Sequence, residues 1–150
     1  MLIKTHPPMT VLFSSHQTTL PELGSFAGTA IKTLYKQAAA LDLLVCGPCY
    51  WFYYGMDGLP DTRFTLEVAL PVQQGVQVFP PPYVKDLPPF KCLSARHDGS
   101  WEELPSLYRQ LMQYIGEQGL AMNGIFSEAY FHIDLAKPGN NITEVQIGLL

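Results

Sequence analysis

The sequence predicts an α+β fold: two tandem strand–helix–strand–strand repeats related by a pseudo-twofold, sharing an antiparallel sheet. The helices cover one face, and a ligand groove lies between the repeats. Three observations lead there. Apolar residues alternate with period two in several short stretches and recur at three- and four-residue steps in two longer ones. These stretches follow the same order in both halves of the chain. Single residues also match between the halves: His16 with His97, Gly47 with Gly124, Trp51 with Glu128, Tyr53 with Tyr130, Asp57 with Asp134, Glu67 with Glu144 and Val68 with Val145.

Taken in order, residues 1–8 read as a lead-in, and Met9 to Ser15 as a first strand. Thr19 and Glu22 have capping-box spacing, with Pro21 tolerated in a first helical turn. Leu23, Phe26, Ala27, Ala30, Ile31, Leu34, Ala38 and Leu41 then predict one amphipathic helix of about six turns. Gly24 and Gly28 weaken it. Val45 to Tyr54 reads as an aromatic strand interrupted by Gly47-Pro48, and the turn-rich stretch from Gly55 to Asp61 leads into a strand from Arg63 to Val72.

Residues 73–89, rich in proline, read as a stiff connector with at most a short edge strand. Phe90 to Arg96 opens the second repeat. Ser100 and Glu103 repeat the capping-box spacing, and Leu104, Leu107, Tyr108, Leu111 and Ile115 form a helical face that Gly119 ends. Pro105 is awkward there, just beyond a first turn. Gly124 to Ile133 is the next strand, residues 137–141 a turn, and Ile142 to Leu149 the last strand. The organisation is one domain over 1–150, with repeat one at about 9–72, a connector at about 73–89 and repeat two at about 90–150.

Composition narrows the function classes. The 150 residues are 47% apolar and 15% charged, which fits a packed domain. The net charge is −4 and the nine Lys and Arg are scattered, so direct nucleic-acid binding is not expected. No apolar run approaches the roughly 18 residues of a membrane span, and the N-terminus lacks a signal segment. Three cysteines without framework spacing point to a reducing cytoplasm.

Chemistry concentrates on the strand from Gly124 to Ile133. Alternation places Phe126, Glu128 and Tyr130 on one face, with His132 next along. Ile125, Ala129, Phe131 and Ile133 take the other face, as ordinary core. A carboxylate between two rings is costly to desolvate unless something pairs with it. A pseudo-twofold would bring Trp51 and Tyr53 to the same cleft, since Trp51 matches Glu128. Trp101, at a helix start, would rim it, and Tyr108 lies on the second helix.

Other motifs read as structural. Cys46-Gly47-Pro48-Cys49 spells a redox motif, but an aromatic strand follows it where thiolate activation needs a helix N-terminus. The histidines at 6, 16, 97 and 132 have no ligand spacing, so no metal and no other cofactor is expected. His16 and His97 read as loop caps before the helices, and Asp57 and Asp134 as turn residues.

Several motifs together resemble the GyrI-like small-molecule-binding family, the effector-binding domain of AraC- and MerR-type multidrug regulators. They are Gly47-Pro48 with the aromatic strand, the stretch from Glu67 to Val72, the stretch from His97 to Trp101, Tyr108, Gly119-Leu120, the stretch from Ser127 to Tyr130, and the stretch from Thr143 to Ile147. The resemblance covers about residues 9–150. It implies two strand–helix–strand–strand units and a groove for apolar, aromatic or cationic compounds with a central glutamate, which Glu128 matches. No DNA-binding segment flanks the match, so the chain reads as a stand-alone member.

Three functional readings follow. The first is a binder of small molecules among Trp51, Tyr53, Phe126, Tyr130, Trp101 and Tyr108, anchored by Glu128. The second is a hydrolase of cyclopropane-type or similar electrophiles, with Glu128 and Tyr130 as its catalytic groups. The third is a protein-interaction module restraining a partner such as a regulator or DNA gyrase.

Overall fold

The computed structural model describes residues 1–25, 27–73 and 84–150. Phe26 of the predicted helical face and the middle of the proline-rich connector lie outside the described residues. Among those described, the strands are β1 (Leu2–His6), β2 (Met9–Thr18), β3 (Leu44–Val45), β4 (Cys49–Tyr54), β5 (Phe64–Gln73), β6 (Val84–Leu87), β7 (Phe90–Asp98), β8 (Met122–His132) and β9 (Ile142–Leu149). The helices are α1 (Ala27–Ala40) and α2 (Leu104–Gln118). The fold is α+β, with one antiparallel sheet in the order β1-β7-β9-β8-β4-β5-β2-β6, and β3 paired to β5.

Both helices cover one face. Val68, Trp51, Glu128 and Val145 stand directly opposite one another across β5, β4, β8 and β9, so they share a face. Leu34 of α1 packs with Val68, and Leu111 of α2 packs with Val145. The other face carries Val11, Tyr50, Phe52, Ala69 and Ala129. Residues 51 and 52 therefore serve opposite faces, as the pleat requires.

The lead-in reading of residues 1–8 is corrected: Leu2–His6 is a strand paired with β7. Its position forces the sheet to curl. In a flat sheet β1 and β2 would lie six strand spacings apart, about 29 Å. Only Pro7 and Pro8 join them, and His6 to Met9 reaches at most about 11 Å. The sheet therefore bends until its ends meet. β1 with β2 and β6 with β7 run as two kinked ribbons paired in one register, His6 opposite Phe90 and Met9 opposite Leu87. Rings from these ribbons meet the middle of the sheet inside the curl. His6 lies 6.0 Å from Tyr50 and Phe90 lies 6.1 Å from Phe52.

The match between halves extends into these ribbons. Lys4-Thr5-His6-Pro7-Pro8-Met9 reappears as Lys85-Asp86-Leu87-Pro88-Pro89-Phe90. Each lysine pairs with a glutamate of the other half: Lys4 with Glu144, and Lys85 with Glu67 at 2.6 Å. Those two glutamates match each other in sequence. Two half-buried charge pairs thus fasten the two ribbons to the sheet.

Local differences have local causes. The predicted six-turn helix is a tight 3₁₀ turn over Leu20–Ser25 followed by α1. Ser25 donates to the Glu22 carbonyl at 2.7 Å, closing that turn on itself. Thr18, not Thr19, donates to the Glu22 carboxylate, at 3.3 Å. Pro105 is accommodated because a 3₁₀ turn over Trp101–Glu103, capped by Ser100, places it in the first turn of α2. Gly119 ends α2 at φ 62°, the left-handed cap. A Cβ on Gly47 would sit 3.1 Å from the Pro71 ring, so glycine permits that approach.

Candidate functional site

β4 and β8 pair at the centre of the sheet, with Trp51 opposite Glu128, Tyr53 opposite Phe126 and Cys49 opposite Tyr130. Alternation then turns Trp51, Tyr53, Phe126, Glu128 and Tyr130 toward the helices. Trp101 precedes α2, and Tyr108 comes from its second turn. All seven residues singled out from the sequence meet here.

Glu128 is the centre of the arrangement. It is 8% exposed. Tyr108 donates to Oε1 at 2.7 Å, while Tyr130 and Tyr53 donate to Oε2 at 2.5 and 3.2 Å. Burial, and then the charge of Glu128, hold all three phenols well above the usual value of 10. They therefore stay protonated as donors. No Lys, Arg or His forms a salt bridge with Glu128 among the described residues. The carboxylate has hydrogen bonds but no countercharge.

Aromatic rings wall the site. Trp51 and Trp101 meet Tyr130 edge-on, with centroids 5.6 and 5.4 Å away, and Tyr108 lies 6.3 Å from Phe126. Trp101 Nε1 donates to Thr143 Oγ1 at 3.0 Å, which fixes that ring against β9. The buried Nε1 of Trp51 has no hydrogen-bond partner among the described residues. Thr143 was missed from sequence, although alternation on β9 places it on the helix side with Val145 and Ile147. Trp51, Tyr53, Glu128 and Tyr130 are buried, while Trp101, Tyr108 and Phe126 are half-buried around them. Two cavities among the described residues lie on the opposite face, one around Phe52 and one around Tyr50.

The end of β8 departs from the simple alternation. A register shift between Tyr130 and His132 inserts one residue. Phe131, expected in the core, is 46% exposed with the Arg96 guanidinium 4.8 Å from its ring. His132 is exposed, and Ile133 packs with the helix-side cluster instead of beside Ala129. Asp57 and Asp134 accept bonds from their own turns, as read from the sequence. His97 meets the Ser100 carbonyl at 2.9 Å and so caps the loop before α2. The loop-cap reading of His16 is corrected: β2 runs on to Thr18, and His16 lies within it opposite Leu66, bonded to Ser14 of the same strand. Cys49 lies on a buried strand, where burial pushes its thiol up to about 12, and Cys46 is exposed and unpaired with it.

Fold and site together define a small-molecule-binding domain. The profile described as the GyrI-like small molecule binding domain matches residues 2–150, and the chain belongs to that family. No match was found among curated proteins. Solved structures share the fold. The EcmrR C-terminal domain is 16% identical with a TM-score of 0.83, covering 99% of this chain and 96% of that one. EcmrR in its complex with DNA is 17% identical with a TM-score of 0.79, and the chain spans 56% of its length and is itself covered to 99%. SAV2435 bound to tetraphenylphosphonium is 14% identical with a TM-score of 0.66, covering 100% and 94%. No helix among the described residues is long and apolar enough to cross a membrane.

Proposed function

We propose that the protein binds a lipophilic, aromatic cation between α1 and α2, with Glu128 as the anchor. The single observation that carries this is a buried carboxylate held by three neutral phenols and no cation. Phenol donors satisfy its lone pairs but leave its charge uncompensated in a poorly solvated place. A delocalised cation with an apolar shell supplies the missing charge at little desolvation cost of its own. The Trp51, Trp101 and Tyr130 rings add cation–π attraction, about 0.5–2 kcal/mol per contact. SAV2435, of the same fold, was solved with such a cation. The half-buried Trp101, Tyr108 and Phe126 form the side from which a ligand would approach. Tyr108 is the donor to Glu128 carried by a helix among the described residues.

The test is titration of the protein with tetraphenylphosphonium while Trp51 and Trp101 fluorescence is followed. Saturable quenching that weakens about tenfold or more in Glu128→Gln supports the reading. Equal affinity in both proteins removes Glu128 from the anchor role.

A hydrolase is the second reading. The observation favouring it is Tyr130 Oη at 2.5 Å from Glu128 Oε2, a proton donor poised on a base. Glu128 would take a proton from water attacking a strained electrophile, and Tyr130 would protonate the departing carbon. A Listeria innocua protein of this fold, 16% identical with a TM-score of 0.62, is described as a hydrolase. Product formation from an electrophilic cyclopropane, lost in Glu128→Gln, would select this reading over simple binding.

A further inference from the structure

The inner face of the curl holds a cavity of about 190 Å³ under the two Pro-Pro kinks. Its apolar wall includes Phe52, Tyr54, Phe90 and Ile125, and its polar wall includes His6 and Gln146. The outer site uses the alternate residues of the same two strands, so the two sites share a backbone but no side chain.

The polar wall has a fixed hydrogen-bond direction. Gln146 Nε2 donates to Glu144 Oε1 at 2.9 Å and lies 2.8 Å from His6 Nε2. Reversing the amide would set its oxygen against the Glu144 carboxylate, so the NH₂ group faces both partners. His6 Nε2 is therefore an acceptor, and its ring carries the proton on Nδ1. Burial, then the charge of Lys4, hold His6 below its usual value against the opposing pull of Glu144, in keeping with a neutral ring. Nδ1–H has no protein acceptor among the described residues. Two further groups beside the cavity are unsatisfied: Gln146 Oε1, and the Oγ of Ser127, which stands opposite both Phe52 and Gln146. Buried polar groups are normally paired, and Gln146 Oε1 and Ser127 Oγ are not.

We propose that this cavity is a second small-molecule site, for a compact, uncharged, single-ring aromatic molecule whose oxygen accepts from His6. An apolar cavity of about 150 Å³ takes up benzene, so this volume suits one ring with a small substituent. A hydroxyl on the ring accepts from His6 Nδ1–H. The cavity wall lacks the uncompensated carboxylate that selects a cation at the outer site. Lys4 and Glu144 behind the polar wall already neutralise each other.

Methionine methyl NMR separates the two faces. Met9 lines the inner cavity and also the neighbouring one around Tyr50, so Ile125→Phe, which alters only the former, assigns its shift; Met56 packs with the outer cluster, and Met112 and Met122 are exposed. p-Cresol is expected to shift the Met9 methyl saturably, leave Met56 in place, and bind at least about fivefold more tightly than toluene. His6→Leu should abolish that preference, and Ile125→Phe should fill the cavity and abolish binding. Glu128→Gln should leave p-cresol affinity unchanged. The inference is overturned if Met9 shifts without saturating, if the shifts fall on Met56 or the exposed methionines, or if p-cresol and toluene bind alike. The toluene comparison needs only the wild-type protein, so it decides the matter even if a variant fails to fold.

Discussion

Trp51 and Glu128 are direct cross-strand neighbours at the centre of the sheet and occupy matching positions in the two halves of the sequence. One half supplies an indole where the other supplies a carboxylate. The pair is thereby chemically one-sided, with Trp51 as a ring face and Glu128 as the charge.

An uncompensated charge should cost stability. Glu128→Gln keeps the shape, and its carbonyl still accepts from a phenol while its amide can donate to another. We expect it to stabilise the ligand-free protein by about 1 kcal/mol, a rise of about 2–4 °C in Tm. Glu128→Ala should do the reverse by about 2 kcal/mol or more, because it orphans three phenols and leaves a cavity. Thermal denaturation of both variants checks the pair, and a loss of stability in both would show that the charge is not strained.

Alkaline titration tests the phenols. Tyr53, Tyr108 and Tyr130 are held well above 10 by burial first, and Tyr50 is pushed up to about 12. Their folded values exceed their unfolded ones, so their contribution is fully present below about pH 10. It is lost as pH rises beyond that, because the unfolded chain ionises first. Tyrosinate absorbance should therefore appear for these residues together with loss of the fold, not before it.

The kinked ribbons predict an acid-sensitive contact. Burial alone would raise the Glu144 carboxyl. Hydrogen bonds from Lys4 and Gln146 and the charges of Lys4 and His6 outweigh it and hold the group below its usual range. A lowered value means stability present above the unfolded carboxylate value of about 4.3 and lost as pH falls through the folded one. Lys4→Met should destabilise the protein at pH 7 by about 1–3 kcal/mol, Lys4 being partly exposed. The difference from wild type should shrink near pH 3, which urea denaturation at the two pH values would show.

Much of this was legible in the sequence, and what was not has a physical cause. Alternation is local, so the face of β8 that carries Phe126, Glu128 and Tyr130, and the meeting of Trp51 with Glu128, followed from period and matching positions. The bulge after Tyr130 is set by pairing with β9, which period two cannot express, so Phe131 and Ile133 were misplaced. The strand Leu2–His6 was hidden because Pro7-Pro8 reads as punctuation and its partner lies far along the chain. The signal was available: Lys4 and its Pro-Pro pair recur at Lys85. Tyr108 was visible as a helical face residue, but its bond to Glu128 depends on how α2 seats on the sheet.

The most direct test of the account crosses the charge of the ligand with the charge of the residue. Tetraphenylphosphonium and the uncharged, near-isosteric tetraphenylsilane would each be titrated into wild-type protein and Glu128→Gln. The account predicts that wild type prefers the cation about tenfold or more, and that the preference collapses toward unity in the variant, with silane affinity little changed. A cation preference that survives intact in Glu128→Gln would contradict it.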